Sequence, residues 1–255
     1  MTTLGLLRSL VVYYGQPWKR GPMDRLYGRF VGPGDLCFDV GSHVGNRVAS
    51  FRRLGARVVA VEPQPACLTI LRRLYGADPA VTVLPIGVAA KPGTLELRVS
   101  TRTPTVSSFD AAWVDARGKD TFHGVVWDER VSVEVTTLDA LIAVHGEPAF
   151  VKIDVEGFEL EVLNGLSRPV RAVSFEVLPA AADRGVACVE RLESLAPYRY
   201  VTTIGETQRV MQESPLDADG IVRWLRALGP TDRSGDVYAV RADAADAGVD
   251  AEELR

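Results

Sequence analysis

The stretch Leu36-Cys37-Phe38-Asp39-Val40-Gly41-Ser42-His43-Val44-Gly45-Asn46 decides the fold. Its first five residues are a short apolar run closed by glycine, which reads as a buried strand. Beyond the loop the period changes. Val44, Val48, Phe51 and Leu54 recur at helical spacing, and Gly55 supplies a stop signal.

Working outward, Arg57-Val58-Val59-Ala60-Val61 reads as a second buried strand. Cys67, Leu71, Leu74 and Tyr75 mark a helix ending near Gly76, and Val81-Thr82-Val83-Leu84 a third strand. The alternation resumes with a strand over 150–153, a helix over 160–166 and a strand over 172–177. A helix over 186–195 and strands over 200–204 and 236–240 complete it. Strands alternating with helices predict a mostly parallel sheet covered on both faces. Right-handed crossovers make that sheet doubly wound.

A different region lies between the halves. Residues 94–99 and 131–135 alternate apolar and polar side chains, as half-buried strands do. Residues 101–130 between them show few regular signals and scatter Phe109, Trp113, Phe122 and Trp127 among polar residues, so they are expected to form a lid or substrate loop. The expected organisation is a helical segment over 1–30, one α/β domain over 31–242 and a flexible tail over 243–255.

Composition narrows the function classes. The 255 residues are 47% hydrophobic and 24% charged, as in a soluble globular protein. With 29 basic and 33 acidic residues the formal charge is -4, which gives no reason to expect nucleic-acid binding. Three well-separated cysteines, Cys37, Cys67 and Cys188, suggest neither a zinc site nor a disulfide framework and suit a reducing cytoplasm. The apolar stretch Leu4-Gly5-Leu6-Leu7-Arg8-Ser9-Leu10-Val11-Val12-Tyr13-Tyr14 is too short to span a bilayer and lacks a signal-peptide pattern. It reads as a helix over the core, with a membrane-surface helix as the alternative.

The chemistry starts at the loop. Glycines at 41 and 45 let the backbone turn tightly and a ligand approach closely. Glu62 ends the second strand about 20 residues on, where an acid can bond both hydroxyls of a ribose. The dinucleotide pattern G-x-G-x-x-G fails at His43 and Asn46, and the phosphate-binding G-x-x-x-x-G-K-[ST] fails at Asn46-Arg47. A phosphate-free, ribose-bearing, cationic cofactor such as S-adenosylmethionine (SAM) remains. The other dense motif is Lys152-Ile153-Asp154-Val155-Glu156-Gly157-Phe158-Glu159. It puts Asp154 and Glu156 outside a strand's carboxyl end, where open α/β sheets bind ligands. Glu159 reads equally as a helix-start acid. Glu176 falls on the same edge. Asp154, Glu156 and Glu176 could hold a polyhydroxyl substrate or a divalent metal, and because spacing alone is not diagnostic no metal is assigned. Of His43, His123 and His145, the first lies in the loop and the second in the expected lid; His145 reads as a surface turn residue.

These landmarks, with Val61-Glu62-Pro63, Gly93-Thr94-Leu95, Thr137-Leu138-Asp139 and Glu176, resemble the FkbM family of SAM-dependent methyltransferases over residues 30 to 240. The resemblance implies a Rossmann-like class I methyltransferase fold, with a seven-stranded sheet and an extra β insertion. It also implies transfer of the SAM methyl group by in-line displacement to a hydroxyl of a sugar, glycoside, polyketide or other secondary metabolite. Carried over by position, Asp39, Gly41, Ser42, Gly45, Asn46 and Glu62 would bind SAM. Asp154, Glu156 and His43 would be catalytic, with Asp154 the first candidate base and His43 the next. Pro85 in Leu84-Pro85-Ile86-Gly87-Val88-Ala89 departs from the family's usual alanine-containing turn. The rival reading is a SAM-binding scaffold without catalysis, and oligomeric state is left open.

Overall fold

In the computed structural model, residues 10–11, 14–119, 122, 124–229 and 231–246 are described. After a 3-10 turn at Pro17–Lys19 come α1 (Arg20–Tyr27), β1 (Leu36–Val40), α2 (Asn46–Arg53), β2 (Arg57–Val61), α3 (Pro65–Tyr75) and β3 (Val81–Leu84). The middle holds β4 (Gly87–Val88), β5 (Gly93–Val99), α4 (Ala111–Arg117), β6 (Glu129–Thr136) and α5 (Leu138–His145). The second half holds β7 (Phe150–Ile153), α6 (Glu159–Asn164), β8 (Ala172–Val177), α7 (Ala182–Glu193), β9 (Tyr198–Thr202), α8 (Ala218–Arg226), β10 (Gly235–Arg241) and α9 (Ala242–Asp246).

Every residue of β1 and β7 is buried, as strands covered on both faces must be. They lie at the centre of a seven-stranded sheet ordered β3-β2-β1-β7-β8-β10-β9. Neighbours are parallel from β3 to β8, and β10 runs antiparallel to β8 and β9. This is the expected doubly wound α/β sheet with one reversed strand.

One face packs an aromatic core against α1 and α2: Phe30 stacks on Phe150 and Tyr238 with centroids 5.3 Å away in each case, and Tyr27 meets Phe51 edge-on at 4.8 Å. The other face buries Phe38, Ile153 and Phe175 under α5, α6 and α7, with Leu138 of α5 in the same cluster. The strand order turns back between β1 and β7, so a crevice forms at their carboxyl ends.

The extra sheet β4-β6-β5 is the expected β insertion. The lid region carries more regular structure than its sequence suggests. A 3-10 turn at Pro104–Val106 and α4 stand where a loop was expected, and Asp110 caps α4 by accepting from the Trp113 amide at 2.9 Å. Element ends also shift: α7 starts at Ala182 rather than 186, and β9 covers 198–202 rather than 200–204. Among the described residues no helix is long and apolar enough to cross a membrane. Most of the stretch 4–14, His123 and the tail beyond 246 lie outside the described residues.

Candidate active site

A cavity of about 640 Å³ occupies the crevice. Gly41, His43, Glu62, Asp154 and Glu156 line it, five of the positions singled out in the sequence. Asp39 is fully buried, and neither it nor Ser42, Gly45 or Asn46 lines the cavity.

The β1 and β7 loops meet backbone to backbone. A Cβ on Gly41, whose φ is +84°, would lie 1.9 Å from the Asp154 carbonyl oxygen, so no other residue fits. The Ser42 hydroxyl donates to the Asp39 carbonyl at 2.7 Å. From outside, the Tyr14 and Tyr75 hydroxyls donate to the carbonyls of Val44 and Gly45, each at 2.9 Å.

Glu62 accepts from the amides of His43 at 2.8 Å and Gln64 at 2.7 Å. Burial raises its pKa to about 7 against those two bonds. Each oxygen keeps a lone-pair direction for a ribose hydroxyl. Burial lowers His43 to about 4, so its imidazole is neutral at pH 7 and is a weak base.

Lys152 is buried in β7 and its ammonium bonds Asp154 at 2.6 Å. Burial alone would raise Asp154, but the Lys152 charge and hydrogen bond outweigh it and hold the carboxyl below its usual range. Glu156 behaves oppositely. Burial and the charges of Glu176, Asp154 and Glu159 push it well above the usual carboxylate range. Glu176 is raised as well, by burial and then by Asp154 and Asp236. Oxygens of Asp154, Glu156 and Glu176 all lie within 4.8 Å of one another, close enough for their charges to raise one another's pKa or for the three to hold a metal ion. Glu159 instead accepts from the amides of Val155 at 3.2 Å and Gly157 at 3.1 Å, bracing the loop. His43 at φ +49° and Glu156 at φ +53° both adopt the left-handed conformation beside the cavity. Non-glycine residues held so cluster at functional sites.

The roof comes from the region expected to form a lid or substrate loop, though of its lining residues the sequence reading names only Phe109. Pro104, Thr105, Ser107 and Phe109 line the cavity from the insertion. Gln64 latches it, donating to the Pro104 carbonyl and accepting from the Ser107 hydroxyl, each at 3.1 Å. Trp113 covers Gly157, where an added Cβ would meet the indole at 2.2 Å. Arg184 pairs with Asp110 at 2.6 Å and donates to the Gly157 carbonyl. A second hollow of about 310 Å³, lined by Trp113, Glu176 and Arg184, flanks the same loop. Only the four aromatics scattered through the insertion hinted at this roof. His145 departs from its reading as a surface turn residue: it ends α5 and meets Phe38 edge-on at 6.4 Å.

Residues 39–229 match the methyltransferase FkbM domain family. The chain belongs to that family. It is 30% identical over 167 residues to the hexuronic acid methyltransferase AglP of Haloferax volcanii, covering 64% of this chain and 62% of that protein. It is 31% identical over 156 residues to the methyltransferase sdnD of Sordaria araneosa, covering 50% of this chain and 59% of that one. The chain thus spans about three fifths of the length of these curated relatives. Among solved structures, an O-methyltransferase from Bacillus cereus in complex with SAH aligns with a TM-score of 0.44 and 12% identity, over 94% of this chain and 92% of that chain.

Proposed function

We propose that this protein is a SAM-dependent O-methyltransferase acting by in-line displacement on a hydroxyl of a sugar, glycoside or hydroxylated secondary metabolite. The observation that carries this reading is the single cavity at the sheet's carboxyl edge that Gly41, Glu62, Asp154 and Glu156 line together, with Glu156 close to Glu176.

The cavity suits the cofactor. Glu62 offers free lone pairs at one end and Gly41 gives close backbone approach. When bound, SAM supplies an electrophilic methyl carbon on a sulfonium. This chain's residues supply alignment and proton removal. A general base works best with a pKa near the operating pH. Asp154, tied to Lys152 and lowered, is a weak base and serves to position Lys152 and the loop. Glu156 lines the cavity and is raised well above the usual carboxylate range, partly by the Glu176 charge beside it, so it is the stronger proton acceptor and takes the acceptor's proton. That moves the leading base role from Asp154 to Glu156. Phe109 lines the cavity from the insertion, and Trp113 packs over the Gly157 loop beside it.

The 31–242 segment acts as the catalytic domain with 101–130 as its lid or substrate loop. The acceptor is a small molecule, with no nucleic acid among the substrates. The three buried free cysteines agree with a cytoplasmic setting. A screen with methyl-labelled SAM over uronic-acid glycosides, neutral glycosides and hydroxylated metabolites tests the reading, with the product's new methyl ether located by NMR. SAM binding with no transfer to any acceptor class would favour the scaffold reading; transfer to nitrogen or carbon would refute O-methylation.

A further inference from the structure

A broad, open groove runs between α1 and residues 207–214, the segment that leaves β9. Arg25, Arg29 and Arg209 line it against a single carboxylate, Glu213. Arg25 and Arg209 are exposed, and neither forms an ion pair among the described residues. The acids beside them in sequence are engaged elsewhere: Asp24 pairs with Arg53 at 2.7 Å and Glu206 with Arg47 at 3.3 Å. A chain of net charge -4 thus carries a locally cationic face.

The same face carries large apolar groups that the core does not use. The chain is helical from Pro17 through Tyr27, so Trp18, Pro22 and Arg25 share one stripe, while Met23, Leu26 and Tyr27 pack into the aromatic core. Pro22 and Arg25 line the groove, and Trp18 extends their stripe beyond it. Trp18 is 70% exposed, and Met211, on the groove's other wall, is 49% exposed. The helix closely follows the apolar run 4–14, whose one charge is Arg8. Val11, in that run, is 64% exposed. A soluble polyanion would engage the arginines and leave the indole and thioether in water. A bilayer surface takes both, with arginine at the phosphates and tryptophan at headgroup level. We propose that this face docks the protein on an anionic lipid surface, with Arg25, Arg29 and Arg209 among the headgroup phosphates and Trp18 and Met211 at the acyl boundary. The docking is peripheral and stands independently of the methyl-transfer reading.

Flotation of the full chain with vesicles of phosphatidylcholine alone, and of phosphatidylcholine with about 30% phosphatidylglycerol, tests it. The protein should float with the anionic vesicles and stay behind with the neutral ones. Salt at about 0.5 M should release it, because screening then confines the attraction to about 4 Å. Replacing Arg25, Arg29 and Arg209 together by Gln should weaken partitioning roughly 100-fold, at about fivefold for each arginine near such a surface. Trp18→Ala should weaken it roughly 10-fold. Brominated lipids should quench the tryptophan fluorescence of the wild type and leave that of Trp18→Phe unquenched. Thermal unfolding and S-adenosylhomocysteine (SAH) binding, both expected to stay as in the wild type, report the fold of each variant. No flotation with anionic vesicles, or flotation unchanged in the folded triple variant, would overturn the proposal. Binding of heparin or single-stranded RNA without binding of vesicles would also overturn it and give the face to a soluble polyanion. Should the triple variant not fold, the exposed single change Arg209→Gln and the lipid and salt dependence of the wild type still decide.

Discussion

Glu62 carries the most direct pH consequence. Its pKa near 7 means that about half the empty sites hold a neutral acid at neutral pH. Ribose hydroxyls donate to the ionised form, so binding lowers that pKa and releases a proton. SAM affinity should therefore rise as pH goes from 6 to 8, by up to about tenfold for one linked proton. Titrations in buffers of different ionisation enthalpy should detect the release, and Glu62→Gln should flatten the trend while weakening binding. For catalysis, Glu156→Gln should reduce kcat by roughly 10²- to 10⁴-fold with little change in SAM affinity, the range lost with a general base. Asp154→Asn should instead lower thermal stability, because it leaves the Lys152 ammonium buried without its partner. A normal kcat in Glu156→Gln would return the base role elsewhere. Glu62, Asp154 and Glu156 were legible because spacing from a strand end fixes where a side chain must fall. Their division of labour was not, because it depends on Lys152 bonding one acid and Glu176 repelling the other.

Among the elements, the sheet was legible because its strands are continuous apolar runs and glycines mark the helix ends. The insertion was not. Its helix α4 has seven residues, of which only Trp113 and Val114 are buried, too few for a helical period to show. What orders it is tertiary: the Gln64 latch, the Asp110–Arg184 pair and the Trp113–Gly157 contact. Gln64→Ala should weaken SAM binding by roughly 3- to 30-fold, in proportion to two neutral hydrogen bonds, and raise amide exchange over 104–109. Gly157→Ala should do more. Its φ of +91° penalises any side chain, and the new methyl would displace Trp113. Activity should fall at least about tenfold, with protease cleavage appearing in the insertion. Unchanged proteolysis would mean that Trp113 does not hold the roof.

For the whole molecule, the acids at the sheet's carboxyl edge trade stability for chemistry. Glu156 and Glu176 have folded pKa values above their unfolded ones, so the folded state binds more protons and its stability falls as pH rises past about 4.5. Glu176→Gln should then raise Tm at pH 8 by roughly 2–4 °C, about 1 kcal/mol for a domain of this size, and change it little at pH 4. If the acids work without a metal, EDTA should leave turnover unchanged; a cation held among Asp154, Glu156 and Glu176 would instead give a loss that Mg²⁺ restores.

The Gln64 latch has a kinetic corollary. Its backbone amide grips the ribose-side acid and its side chain grips the roof. Departure of the spent cofactor and lifting of the roof should therefore be coupled. Stopped-flow release of SAH should share a single rate with roof opening reported by the fluorescence of Trp113 and Trp127, and that exit rate, rather than methyl transfer, should set the pace of steady-state turnover.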